Sequence, residues 1–139
     1  KRYLETDSLD TQLLNWDTMV KEGGDVKIVE DYLSGAVKVI NGIRRQDLRL
    51  FGQGMIQDGV VTPVRAKFIT GYDDVRYAAL SAGAAGFTIS GSGPSVVALA
   101  YYKRGAQIVG DAMRRAFEKH GVDCKIYVAK VDNTGAKRI

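Results

Sequence analysis

The sequence predicts an α+β fold, a ferredoxin-like β-α-β-β-α-β sandwich with additional helices. Three observations predict it. After residue 70 the pattern runs helix, strand, strand, helix, strand, which is most of that unit. The two short strands are joined by a Gly-rich turn, so they pair antiparallel. The chain has 139 residues, which is one domain and enough to bury a core without disulfides or a structural metal.

Residues 1–24 read as a connecting or interdomain segment, and residues 25–139 as the domain. Leu13, Leu14, Trp16, Met19 and Val20 are apolar enough to dock somewhere, and Gly23-Gly24 breaks the segment. A helix is expected over 26–43 with Asp25 as N-cap. Its stripe is Val29, Tyr32, Leu33, Ala36, Val37, Ile40 and Ile43. Gly35 and Gly42 weaken this helix or permit close packing. A shorter helix is expected over 46–55, with Leu48, Phe51 and Met55 on one face. Residues 56–70 then read as a loop, because Asp58-Gly59 signals a turn and Thr62-Pro63 does not suit a helix interior.

A third helix is expected over 72–82. Asp73 and Asp74 suit the positive end of its dipole, and Val75, Ala78, Ala79 and Ala82 form a small-residue face. Strands follow at 84–89 and 96–101. The second is apolar on both faces, as a central strand would be. The helix at 103–120 has the clearest stripe, Ala106, Val109, Ala112, Met113, Ala116 and Phe117, and Gly121 follows as its C′ residue. A last strand is expected over 123–131.

Composition closes several function classes. Hydrophobic residues make up 45% and charged residues 26%, which excludes intrinsic disorder, collagen and coiled coil. No apolar run approaches the ~20 residues of a membrane span. One cysteine, Cys124, and one histidine, His120, exclude a disulfide scaffold and most protein-only zinc sites. A Ser–His or Cys–His nucleophile pair would have to use His120. The chain begins with Lys1 and has no apolar stretch over 1–10, so it reads as a piece of something longer, without a signal peptide. The net charge of +4 concentrates over residues 100–139, which carry nine basic and four acidic side chains. No stacking aromatics interleave those charges, so a solvated face is expected and a nucleic-acid partner is not.

Two features bear on chemistry. The loop at 90–95 contains Ser90, Gly91, Ser92, Gly93, Pro94 and Ser95. Glycines let backbone N–H groups approach a ligand, and successive N–H groups can form a concave anion site. No Gly-Lys-Ser/Thr follows, so it is not a P-loop. A tight hairpin turn packed against a helix accounts for the same glycines. Arg65 sits in a loop, where a guanidinium can grip a carboxylate or phosphate bidentately or simply be solvated. Asp73 and Asp74 suit helix capping better than a metal, His120 suits a helix C-terminus, and Cys124 suits a small buried side chain. By residue types alone, the chain carries half of a site.

Residues 78–100 (AALSAGAAGFTISGSGPSVVALA) resemble the third motif of the GHMP kinases, and most closely that of their homoserine kinase branch. Thr62-Pro63-Val64-Arg65 followed by Ile69-Thr70-Gly71-Tyr72 resembles that branch's Glu-Pro-x-Arg and Ile-Pro-Gly-Phe. The tail at 131–137, VDNTGAK, is similar to its closing Asp-x-x-Gly-Ala-Arg. The resemblance covers about residues 26–139. It implies the C-terminal half of a two-domain, cytoplasmic enzyme of threonine biosynthesis, with the site in the cleft between the halves. It implies phosphoryl transfer from ATP with Mg2+ to the hydroxyl of homoserine, with no membrane partner and a homodimer left open. Arg65 matches the arginine that binds the homoserine carboxylate. Ser90, Gly91, Ser92, Gly93 and Ser95 match the loop that shapes the phosphate and acceptor site. A second substrate-binding arginine belongs near the start of this half. Lys27 falls roughly there, and a lysine is a point charge rather than a fork. Thr62 and Thr70 stand where glutamate and proline are usual. The ATP-binding Gly-Leu-Gly-Ser-Ser entry and the metal-binding acid belong to the N-terminal half, so this chain alone is expected to be inactive. A different acceptor alcohol, or a non-catalytic amino-acid-binding module, are the competing readings.

Overall fold

The computed structural model describes residues 26–135. The expectations for residues 1–24, for Asp25 and for the side chains of Lys27, Val29 and Tyr32 lie outside the described residues and side chains, as do the last four residues. The elements, in order, are α1 (Val26–Arg45), α2 (Leu48–Ile56), α3 (Thr62–Arg65) running into a 3-10 turn (Ala66–Phe68), α4 (Tyr72–Ser81), β1 (Gly86–Ile89), β2 (Val96–Leu99) and α5 (Lys103–Lys119).

The core forms where α4 and α5 pack on each other and on the hairpin. Tyr72, Val75 and Ala79 recur on one face of α4. Val109, Met113, Ala116 and Phe117 do so on α5, and Phe87 enters from β1. Val75 and Phe87 are the largest fully buried side chains, and each contributes about 1.5–3 kcal/mol by leaving water. The Tyr72 and Phe87 rings sit 5.5 Å apart at a tilt of 55°, a favoured aromatic geometry. The stripes expected for both helices are therefore the ones buried.

β1 and β2 pair antiparallel, with Gly86 opposite Leu99 and Ile89 opposite Val96. Helix α2 lies directly on this hairpin. A Cβ on Gly52 would fall 1.8 Å from the carbonyl oxygen of Ala85, so only glycine permits the approach.

Three expectations need correction. The described part of the stripe on α1 is exposed rather than buried, and the close packing that Gly35 and Gly42 permit forms the contact with α2 instead. Leu33, Val37, Ile40 and Ile43 are each more than half exposed, while the Gly35 and Gly42 face meets α2 backbone to backbone. Close helix approach selects the smallest residues, not the most apolar ones. The second helix starts at Leu48 rather than residue 46. Gln46 takes φ +54 to end α1, and Asp47 caps α2 by accepting from the Leu50 N–H at 3.0 Å. Finally, residues 123–131 form no ladder with any strand among the described residues. Val122, Cys124 and Ile126 are half-buried in alternation with exposed neighbours, so the extended period is there without a partner. Ile126 packs against Gly110 of α5.

Among the described residues, no helix is long and apolar enough to cross a membrane.

Candidate functional site

The segment read as a loop over 56–70 contains the helix that carries Arg65. Pro63 lies in the first turn of α3, where its missing N–H costs nothing and its fixed φ suits the helix. A helix of one turn has little stability of its own. Asp58 supplies the rest. Its Oδ1 accepts from the N–H groups of Val60 (3.0 Å) and Val61 (2.9 Å), and its Oδ2 from the N–H (3.1 Å) and hydroxyl (2.9 Å) of Thr62. One carboxylate thus satisfies donors that the start of a helix leaves open. The sequence marked Asp58 only as a turn residue. The detectable signal was an aspartate four residues before a Thr-Pro helix start.

Arg65 closes α3, its N–H bonded to Val61 O at 3.0 Å. The side chain is exposed and its Nη1 donates to the carbonyl oxygen of Gly91 at 3.1 Å. Arg65 and the Gly-rich loop, 26 residues apart, are therefore in contact. One bond leaves most of the guanidinium's five N–H donors for a ligand.

The loop at 90–95 is held from within. Ser90 N–H donates to Ser95 O at 2.8 Å, and Gly93 N–H donates to Ser90 O at 3.2 Å. Gly91 and Gly93 take φ of +60 and +84, and the Gly93–Pro94 peptide is cis. Not every loop N–H is a free donor, because Gly93's is used internally. Those of Gly91, Ser92 and Ser95 make no bond to protein acceptors among the described residues. Ser90, Ser92 and Ser95 are exposed, and Gly93 rests on Ile69. The arrangement places a cation next to a turn with open N–H groups, a combination that suits an anionic ligand.

The remaining candidates lie apart from this contact. His120 Nε2 hydrogen-bonds Asp74 Oδ2 at 2.6 Å, so Asp74 ties two helices together rather than capping its own. The α4 N-cap is Gly71, with no side-chain cap. The imidazole covers Gly71, where a Cβ would fall 2.5 Å from His120 Cδ2. Cys124 is half-buried, and burial pushes its thiol pKa up, with Glu118 and Asp123 adding to the rise and Arg114 opposing it. Asp132 accepts from the N–H of Thr134 at 2.8 Å and from its hydroxyl, which holds that carboxyl below the usual range. Two cavities flank α3, of about 280 and 490 Å3, and neither is lined by Arg65 or by residues 90–95.

The fold and its loop match a known family. Residues 39–119 match the family described as "GHMP kinases C terminal", and the chain belongs to that family. Its relatives are more specific. A homoserine kinase of Haloarcula marismortui is 43% identical over 113 residues, covering 81% of this chain and 38% of the relative. One of Arabidopsis thaliana is 37% identical over 107 residues, covering 76% and 29%. The crystal structure of homoserine kinase from Cytophaga hutchinsonii superposes with a TM-score of 0.73 at 37% identity, over 77% of this chain and 34% of that one. The chain thus spans well under half the length of the relatives it matches.

Proposed function

We propose that this domain is the acceptor-side half of an ATP-dependent homoserine kinase. The observation that carries the reading is the 3.1 Å bond from Arg65 to Gly91, which joins an anion-gripping arginine to a turn with open N–H groups. In the whole enzyme Arg65 holds the homoserine carboxylate as a fork, orienting the side-chain hydroxyl toward the γ-phosphoryl group. The N–H groups of Gly91, Ser92 and Ser95 face the charge that develops on the transferred group. Catalysis of this kind is mostly positioning and charge stabilisation. Relatives of this family name imply MgATP as donor. When bound, MgATP would supply the γ-phosphoryl group, and on this reading the residues that hold its metal belong to the N-terminal half.

The reading has a direct test. In the full-length protein, Arg65→Ala raises the KM for homoserine at least about tenfold, as expected for loss of a charge-assisted fork, and leaves the KM for ATP unchanged. Equal damage to both refutes the anchor role. Assay of mevalonate and other small alcohols alongside homoserine fixes the acceptor.

A further inference from the structure

The smaller of the two cavities lies between α2, α3, α4 and β1, and neither Arg65 nor Gly91 lines it. Its volume is about 280 Å3, or about nine water volumes, which is room for a molecule of roughly as many heavy atoms. Met55 and Phe87 give it apolar walls, and Tyr72, Asp73 and Arg76 give it polar ones.

Arg76 is half-buried. Among the described residues no carboxylate pairs with it and no acceptor takes its hydrogen bonds. A half-buried guanidinium with no directly bonded acceptor keeps unsatisfied donors. Asp73 lies one turn earlier on the same face of α4 and lines the same cavity, yet makes no ion pair with Arg76. Asp58, the other carboxylate on the cavity, is occupied on both oxygens by residues 60–62. The Tyr72 phenol sits among these charges. Burial raises its pKa, Arg76 lowers it, and Asp73 and Asp58 raise it. Among the described residues the cavity therefore offers one cation and one anion without a direct partner and an apolar wall, in a space of amino-acid size.

We infer that this cavity binds a small α-amino acid, its carboxylate forked on Arg76 and its ammonium held by Asp73. The site is separate from the one proposed above and does not rest on that reading. Pro63 and Ala66 of the α3 segment also line it, so an occupant presses on the short helix that ends in Arg65.

The test is a titration of the isotope-labelled full-length protein with L-2-aminobutyrate, followed by amide chemical shifts, with butyrate as the ammonium-free control. The expected result is saturable shifts centred on Thr62, Ala66 and residues 72–76. Arg76→Gln and Asp73→Asn each weaken binding about tenfold, Arg65→Ala does not, and butyrate binds more weakly. Asp73 is exposed, so Asp73→Asn reports even where Arg76→Gln fails to fold, and Arg76→Lys keeps the charge without the fork. No saturable shift at millimolar concentration overturns the inference, as does butyrate binding equally well. Shifts centred on residues 65 and 90–95, lost with Arg65→Ala and kept with Arg76→Gln, overturn it while leaving the acceptor-site reading standing.

Discussion

The imidazole of His120 lies over Gly71, and no side chain can occupy the space between them. A Cβ at Gly71 would come within 2.5 Å of His120 Cδ2, and Gly71 also holds φ at +77. Gly71→Ala should therefore combine two penalties. The left-handed backbone alone costs about 1–2 kcal/mol, and the ring adds a clash. His120→Ala removes a partly exposed pair with Asp74 worth about 0.5–1 kcal/mol at most. Urea unfolding should show Gly71→Ala to be the more damaging, and the double variant less damaging than the sum, because removing the ring relieves the clash but not the φ.

Gly52→Ala should be worse still. The added methyl meets main chain at Ala85, which has no rotamer by which to move aside. A loss at the upper end of overpacking effects, about 3 kcal/mol, is expected. Gly83→Ala is the control. Its φ is +95 but nothing lies within 4 Å of the new methyl, so only the conformational cost of about 1–2 kcal/mol remains. Denaturation midpoints of the two variants should separate clearly.

Asp58→Ala removes four hydrogen bonds from the start of α3. The expected loss is about 1–2 kcal/mol, as for other caps. Hydrogen exchange gives a sharper readout. The amides of Val60, Val61 and Thr62 should lose protection together, while those of α5 keep theirs. Asp58→Asn retains one acceptor oxygen and should fall between.

How much could be read from the residues alone differs from element to element. The stripes of α4 and α5 were legible because apolar residues at helical spacing have one way to be buried. The hairpin was legible because a Gly-rich turn between two short apolar runs permits little else. The face of α1 was not. Hydrophobic periodicity points to Leu33, Val37, Ile40 and Ile43, whereas close packing on α2 is decided by Gly35 and Gly42, which the sequence marks equally well as helix-weakening or as contact residues. Of the candidate site, Arg65 and residues 90–95 were each singled out, but their contact depends on α3, and α3 depends on a side chain reaching forward from Asp58. A bond pattern of that kind leaves no periodicity to detect.

Cys124 gives a prediction in pH. Its thiol pKa is raised, chiefly by burial. A raised thiol pKa means a smaller thiolate fraction at neutral pH, and the thiolate is the reactive form. Alkylation by iodoacetamide should be slower than for a small free thiol at pH 7, and should keep rising with pH beyond the point where the free thiol levels off. Glu118→Gln and Asp123→Asn should each move that profile to lower pH.

The hairpin ladder turns loop length into a ruler. Gly86 opposite Leu99 and Ile89 opposite Val96 fix both ends of the connection, so an extra residue between them has to be absorbed within the turn. One residue of chain spans about 3.5 Å, which is more than the whole 3.1 Å separation between Arg65 Nη1 and Gly91 O. The serine side chains can therefore change with little consequence for that contact, but the count of residues cannot. Drift in this domain is free to alter what the turn displays and is barred from altering how far it reaches.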